Sequence, residues 1–342
     1  MIRRTNALVV LVAVAVVCIG AWSVCAQTGD AKGAKGPLTI VKMIAGGGEG
    51  GWDLLTADPA SHRVYVARGN RVMVFDVAEG KLVGEVPGVL GAHGVAVAGE
   101  HNVGFATNAK ENLVCVFNLK TLKVTQKIKS GTKPDAIVYD PTSKKVYAFN
   151  GRSGDATIID PADLAKAPQT LKIGGKLELG VADGAGHVYV NLEDKSMTVA
   201  IDSTTQEVMA KWSVAPGEEP TGVGVDAEHR RLFVGCNNNK MMVLDADKGT
   251  MLGEAAVGAG VDGAAFEPKL GLAVTSNGRD GTLSVVKEGP AGKFATIQTL
   301  VTAKGGKTVC ADAAAHQFYV PCILPSGPDK GKFGLLVIGA AQ

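Results

Sequence analysis

The chain has 342 residues, 46% hydrophobic, 5% aromatic and 20% charged, with 45 glycines and a formal net charge of +2. So much apolar and so little charged character excludes a disordered chain, and glycine without a three-residue period excludes collagen while implying many tight turns. Residues 1–26 contain Arg3 and Arg4 and no acid, so basic and acidic side chains are equal in number from Gln27 onward. That balance gives no electrostatic support for nucleic acid or an anionic membrane as the main partner.

Arg3 and Arg4 precede an apolar run from Ala7 to Ile19, and Val24-Cys25-Ala26 places small or apolar residues at a cleavage position. This is the layout of a secretory signal peptide over residues 1–26. The run is too short for the roughly 20 residues that span a bilayer. Neither Cys18 nor Cys25 sits in a lipoprotein-type box, because Val17 and Val24 stand where a small residue is wanted. An exported protein, periplasmic or secreted, is therefore expected, with no membrane insertion after cleavage. Residues 27–36, rich in Gly, Ala and Lys, read as a flexible lead-in.

From there to residue 342 one phrase recurs: a short strand ending near an acid, a tight turn, then a strand of aromatic and β-branched residues. It reads Leu54-Leu55-Thr56-Ala57-Asp58-Pro59 then Val64-Tyr65-Val66-Ala67, and again Ala136-Ile137-Val138-Tyr139-Asp140-Pro141 then Val146-Tyr147-Ala148-Phe149-Asn150. The anchors Asp58, Ala98, Asp140, Asp183, Asp226, Glu267 and Asp312 are spaced 40 to 45 residues apart. Third and fourth strands follow in each copy, as in Val72–Asp76 and Lys81–Val86. Four short strands per unit with no helical period indicate propeller blades. The seventh copy lacks a fourth strand, and Leu38–Ile44 resembles the missing one. The sequence therefore predicts an all-β, seven-bladed β-propeller over residues 37–342, with four antiparallel strands per blade. The N-terminal strand joins the last blade and closes the ring.

Tyr65-Val66-Ala67-Arg68, Phe105-Ala106-Thr107-Asn108, Tyr147-Ala148-Phe149-Asn150 and Ala273-Val274-Thr275-Ser276-Asn277 resemble the repeat of the YVTN (YncE-like) β-propeller family. The resemblance covers essentially the whole chain after the leader. It implies the propeller fold and says little about activity, since that family consists largely of exported proteins and binding modules. Trp52 and Trp212 are the tryptophans left after the leader, so the regular tryptophans of WD repeats and of pyrroloquinoline-quinone dehydrogenases are missing.

Equivalent blades place equivalent residues together. Five before each anchor stand Asp53, His93, Asp135, Glu178, Thr221, Asp262 and Lys307; ten after stand Arg68, Asn108, Asn150, Glu193, Cys236, Asn277 and Cys322. The start of a first strand and the end of a second lie on one side of an antiparallel blade, so both sets are expected around one channel mouth. That mouth would be rimmed by Asp53, Asp135, Glu178, Glu193 and Asp262, opposed by His93, Lys307 and Arg68, and partly covered by the loop 325–332. Carboxylates and a histidine around one axis suit a cationic ligand or a divalent metal, which would use Asp53, His93, Asp135 and Glu178. A solvated mouth is polar in any case, and asparagines also serve turn geometry. His62, His101, His187, His229 and His316 follow their anchors by three or four residues and are expected as exposed turn residues on the opposite face.

Two glycine patterns, Gly46-x-Gly48-x-x-Gly51 and Gly258-x-Gly260-x-x-Gly263, match a dinucleotide fingerprint but lead into strands and are rejected. Asp245-x-Asp247-x-Gly249 begins like a calcium loop, yet its twelfth position is Ala256. No serine-hydrolase elbow, zincin helix or haem-attachment motif is present. Cys115, Cys236, Cys310 and Cys322 remain after the leader, and Cys310 falls opposite Tyr319, so no intrablade disulfide is expected. The expectation is a monomeric, non-enzymatic binding or scaffold protein. No cofactor beyond a divalent metal is expected, and the partner is a small molecule or a protein. The alternative is a lactonase-type propeller hydrolase, with His93 as base, if Asp53, His93, Asp135 and Glu178 converge on one point.

Overall fold

β-Branched and aromatic runs build the strands, because their branched or flat side chains fit a pleated surface better than a helix. Val64-Tyr65-Val66 lies in strand Arg63–Arg68 and Val146–Phe149 in strand Lys145–Asn150, all fully buried. The computed structural model describes residues 36–341, so the expected leader and most of the lead-in lie outside the described residues. Within that range helical backbone is confined to three short 3₁₀ turns, and no helix is long and apolar enough to cross a membrane.

The recurring anchor acid has a local task. Asp140 accepts the amides of Thr142 and Ser143 at 3.3 and 2.8 Å, and Asp312 those of Ala314 and Ala315 at 3.0 and 2.9 Å. Each acid thus closes the turn between a blade's first and second strands. Blade 2 has Ala98 at this position, and there the 3₁₀ turn Gly99–His101 ends on Asn102 in the left-handed region at φ 55°.

The strands form seven four-stranded antiparallel sheets. Blades 1 to 6 span residues 52–87, 92–129, 134–172, 177–213, 220–256 and 261–301. Blade 7 takes residues 310–340 plus the strand Leu38–Ala45, which pairs antiparallel with Phe333–Ala340. The core is divided into seven apolar layers, one between each pair of neighbouring blades, including the pair formed by blades 7 and 1. The ring is closed as predicted.

Side chains from both neighbours fasten the closing strand. Gln298 of blade 6 accepts the Leu38 amide at 3.0 Å and donates to the Leu38 carbonyl at 2.7 Å. On the other flank Arg68 of blade 1, only 2% exposed, lies 3.8 Å over the Phe333 ring. It donates to the carbonyls of Gly50 at 3.1 Å, Gly48 at 2.6 Å and Gly47, in the loop that leaves the closing strand. Arg68 is thus committed to ring closure and is not part of an open mouth. A buried guanidinium with its partners removed, or carbonyls left without it, costs about 3 kcal/mol or more. Arg68→Ala is expected to lower the melting temperature by roughly 6 °C or more in a thermal scan. Deleting residues 36–45 should cost more still; an unchanged melting temperature would refute this account of closure.

Candidate functional site

At the mouth end of each first strand from blade 1 to blade 6, the pairing slips by one residue. Trp52 faces Arg68 but Leu55 faces Val66; Ala92 faces Asn108 but Val95 faces Ala106. Equivalent shifts lie at Pro134/Ile137, Leu177/Gly180, Pro220/Gly222 and Val261/Gly263. Each is a β-bulge, which bends the strand and re-aims the extra residue. The residues re-aimed are Asp53, His93, Asp135, Glu178, Thr221 and Asp262. Lys307 takes the same place on the approach to blade 7. All seven line one cavity of about 100 Å³ at the end of the channel.

Buried side chains of adjacent blades hold these bulges. Thr107 Oγ1 donates to the Asp135 carbonyl at 2.8 Å, Thr221 to Val261 at 2.9 Å and Thr308 to Asp53 at 2.8 Å. Asn191 donates to the Gly222 carbonyl at 3.0 Å. Close approach requires glycine beside the site: a Cβ on Gly94 would sit 2.9 Å from the Asp135 carbonyl oxygen, and one on Gly222 2.4 Å from the Ala264 nitrogen.

The bulges also separate the two sets of residues expected together. Because the extra residue turns to the axis, the second-strand ends turn into the blades. Asn108, Asn150, Asn277, Cys236 and Cys322 are fully buried. Asn150 donates to Asp155 and Thr157 at 2.8 and 2.9 Å, pinning its own hairpin, and Asn277 does the same with Thr282 and Ser284. Glu193 alone of that set borders the mouth, beside Lys176 in a wider cleft of about 370 Å³ over blades 4 to 7. The loop 325–332 lines neither this cleft nor the axial cavity. On the opposite face three histidines are paired with anchor acids: His187 with Asp183 at 2.9 Å, His229 with Asp226 at 2.8 Å and His316 with Glu267 at 2.9 Å.

Around the axis the charges form a belt. Lys307 Nζ lies 2.7 Å from Asp262 and 3.1 Å from Asp53; His93 Nδ1 lies 2.6 Å from Asp53 and 3.4 Å from Asp135. Lys133 approaches Asp135 at 3.9 Å, and Lys176 approaches Glu178 at 3.0 Å. Lys133 and Lys176 were not among the expected mouth residues, although each stands two positions before its acid, in Lys133-Pro134-Asp135 and Lys176-Leu177-Glu178. The donor atoms of Asp53, His93 and Asp135 lie within 4.8 Å of one another, so three of the four proposed metal ligands converge.

Burial and neighbours set the protonation states. The hydrogen bond to Asp53 holds His93 toward its cationic form against the effect of burial. Burial works against the Asp53 carboxylate, but His93 and Lys307 outweigh it and keep Asp53 ionised. Burial pushes Asp135 up, with His93 offsetting part and Asp53 adding to the rise. It likewise raises Asp262 despite Lys307. Glu178 is pushed up to about 8 by burial, by the charge of Asp135 and by sharing a hydrogen bond with Glu193. The mouth holds more carboxyl groups than its cations neutralise.

No family model matches the chain, and no curated protein matches it. Solved structures do. The RRP9 WD40 repeats superpose with a TM-score of 0.74 at 7% identity, covering 90% of this chain and 98% of that one. U3-55K gives 0.72 at 7% identity, with 88% and 98% covered. Hydrazine synthase of Kuenenia stuttgartiensis gives 0.67 at 14% identity, with 82% and 94% covered. Identities this low establish the shared β-propeller architecture and nothing finer.

Glu178 gives the mouth a pH signature. Its folded carboxyl keeps a proton up to about pH 8 that an unfolded chain releases near 4.5. Stability from this group is therefore complete below pH 4.5 and is lost as pH rises through 8. Glu178→Gln is expected to melt like the parent at pH 5 and roughly 3 °C or more above it at pH 8.5. Equal melting temperatures at both pH values would contradict the assignment.

Proposed function

We propose that this chain is an exported, non-enzymatic propeller of the YVTN type that binds a small cation-bearing ligand at the belt-lined mouth. The observation that carries the reading is the recessed ring in which five carboxyl groups, Asp53, Asp135, Glu178, Glu193 and Asp262, share four cations, His93, Lys133, Lys176 and Lys307, so that Glu178 keeps a proton for want of a fifth. Removing carboxylates from water is costly unless positive charge compensates them, so a surplus of acid in a recessed cavity favours a cation. The repeat phrases support the family, and the Arg3-Arg4 start with its apolar run supports export. A divalent metal at Asp53, His93 and Asp135 is one form the cation can take.

Isothermal titration with Mn²⁺, Zn²⁺, Ca²⁺ and small organic ammonium ions tests this. At least one class is expected to bind, and Asp262→Asn is expected to weaken it about tenfold, equivalent to ~1.4 kcal/mol. Absence of binding by any of them at millimolar concentration would overturn the reading.

One observation favours a second reading. Asp53 orients His93 through Nδ1, so that once pH exceeds the raised pKa of the imidazole its Nε2 can act as a base on a bound lactone or ester. Hydrolysis of a lactone panel that disappears in a folded His93→Ala variant would move the assignment from binding protein to enzyme.

A further inference from the structure

Below the charged belt the axis changes character. A channel cavity of about 270 Å³ is lined by first-strand residues of all seven blades, among them Leu54, Val95, Ile137, Val181, Val223 and Val309. Of the lining side chains only Thr56 and Cys310 carry a polar atom, and the Thr56 hydroxyl is spent on the Val95 carbonyl at 2.6 Å. Leu54 and Leu179 line both this channel and the charged mouth cavity, so the two spaces adjoin. At its other end the channel shares Val95, Ile137, Val138 and Val181 with a wider cavity of about 590 Å³ on the opposite face.

A bare metal ion would leave this apolar space unused. We propose that the ligand is a cationic amphiphile, with its charged head among Asp53, Asp135 and Asp262 and an unbranched apolar tail in the channel. This proposal rests on the mouth being a cation site and adds the tail to it. An aliphatic wall with charged groups at one end is the usual layout of a small-molecule pocket, in which apolar burial supplies affinity and a few polar groups fix orientation. At ~30 Å³ per water-sized unit, the channel has room for about nine methylene-sized groups. Each buried methylene should tighten binding about three- to fourfold.

The test titrates n-alkylammonium ions from butyl to dodecyl, below their micelle-forming concentrations, into the purified protein. Affinity is expected to climb about threefold per methylene and to level off near eight to ten carbons. Alkyl carboxylates of equal length should bind at least tenfold more weakly. Val181→Trp, which fills the channel, should reduce the long-chain ions to the affinity of butylammonium without altering butylammonium itself. If that variant does not fold, Val225→Asn, which makes the channel wall polar, should flatten the series in the same direction. Binding that is independent of chain length would overturn the channel proposal and leave the mouth as a cation site. No binding at any length would overturn both. Equal binding of carboxylates would overturn the cationic head.

Discussion

Every blade is apolar on both faces, and only a closed ring gives each of seven such sheets two neighbours. The pairing of Leu38–Ala45 with Phe333–Ala340 therefore matters to the whole molecule, because it completes blade 7 and adds Ile44 to the layer shared with blade 1 and Leu38 to the layer shared with blade 6. The structure invests in that seam from both sides. Gln298 grips both backbone groups of Leu38, and Arg68 gives up its hydrogen bonds to three loop carbonyls while stacking on Phe333. A buried guanidinium is costly unless its donors are taken up, and here carbonyls and an aromatic face take them up.

Closure brings the first strands to a common axis, and the bulges decide what faces it. A regular ladder would alternate side chains between the two faces of a blade, leaving the axis lined by backbone edges. One extra residue in the first strand of blades 1 to 6 turns a single side chain inward, and an adjacent blade holds such a bulge through its carbonyl, as Thr107 does for Asp135 and Thr308 for Asp53. The mouth is consequently a product of blade contacts and not of any one repeat. Its charges interlock from blade 6 round to blade 3 through Lys307, Asp53 and His93, which crosses the closing seam as well. Beyond that chain a single cation, Lys176, serves both Glu178 and Glu193, and Glu178 keeps its proton up to about pH 8. That imbalance beside an aliphatic channel gives the molecule its chemical polarity along the axis.

Much of this was legible in the residues. The anchor acids recur because each closes a turn, so their 40- to 45-residue spacing counted the blades correctly. The missing fourth strand of the last copy and the spare strand at Leu38 likewise announced the closure. Counting five residues back from each anchor named the first-strand mouth residues, since that count stays within one strand and its turn. Counting ten forward did not, because it assumed an unbroken ladder between strands. The bulge between Trp52 and Leu55 is invisible in composition, and it sends Asp53 to the axis while Arg68 turns into the seam. Lys133 and Lys176 were visible as neighbours of their acids, yet nothing in spacing showed that they reach the same carboxylates.

The sequence by itself determined the fold, the number of blades and which first-strand residues share one end of the channel. Those properties follow from local strand preference, turn chemistry and repetition, which are written in neighbouring residues. Tertiary structure alone decided which polar residues meet at the axis, how their charges pair and that an apolar channel adjoins them. Each of those depends on distances between blades, and such distances exist only once the ring has closed.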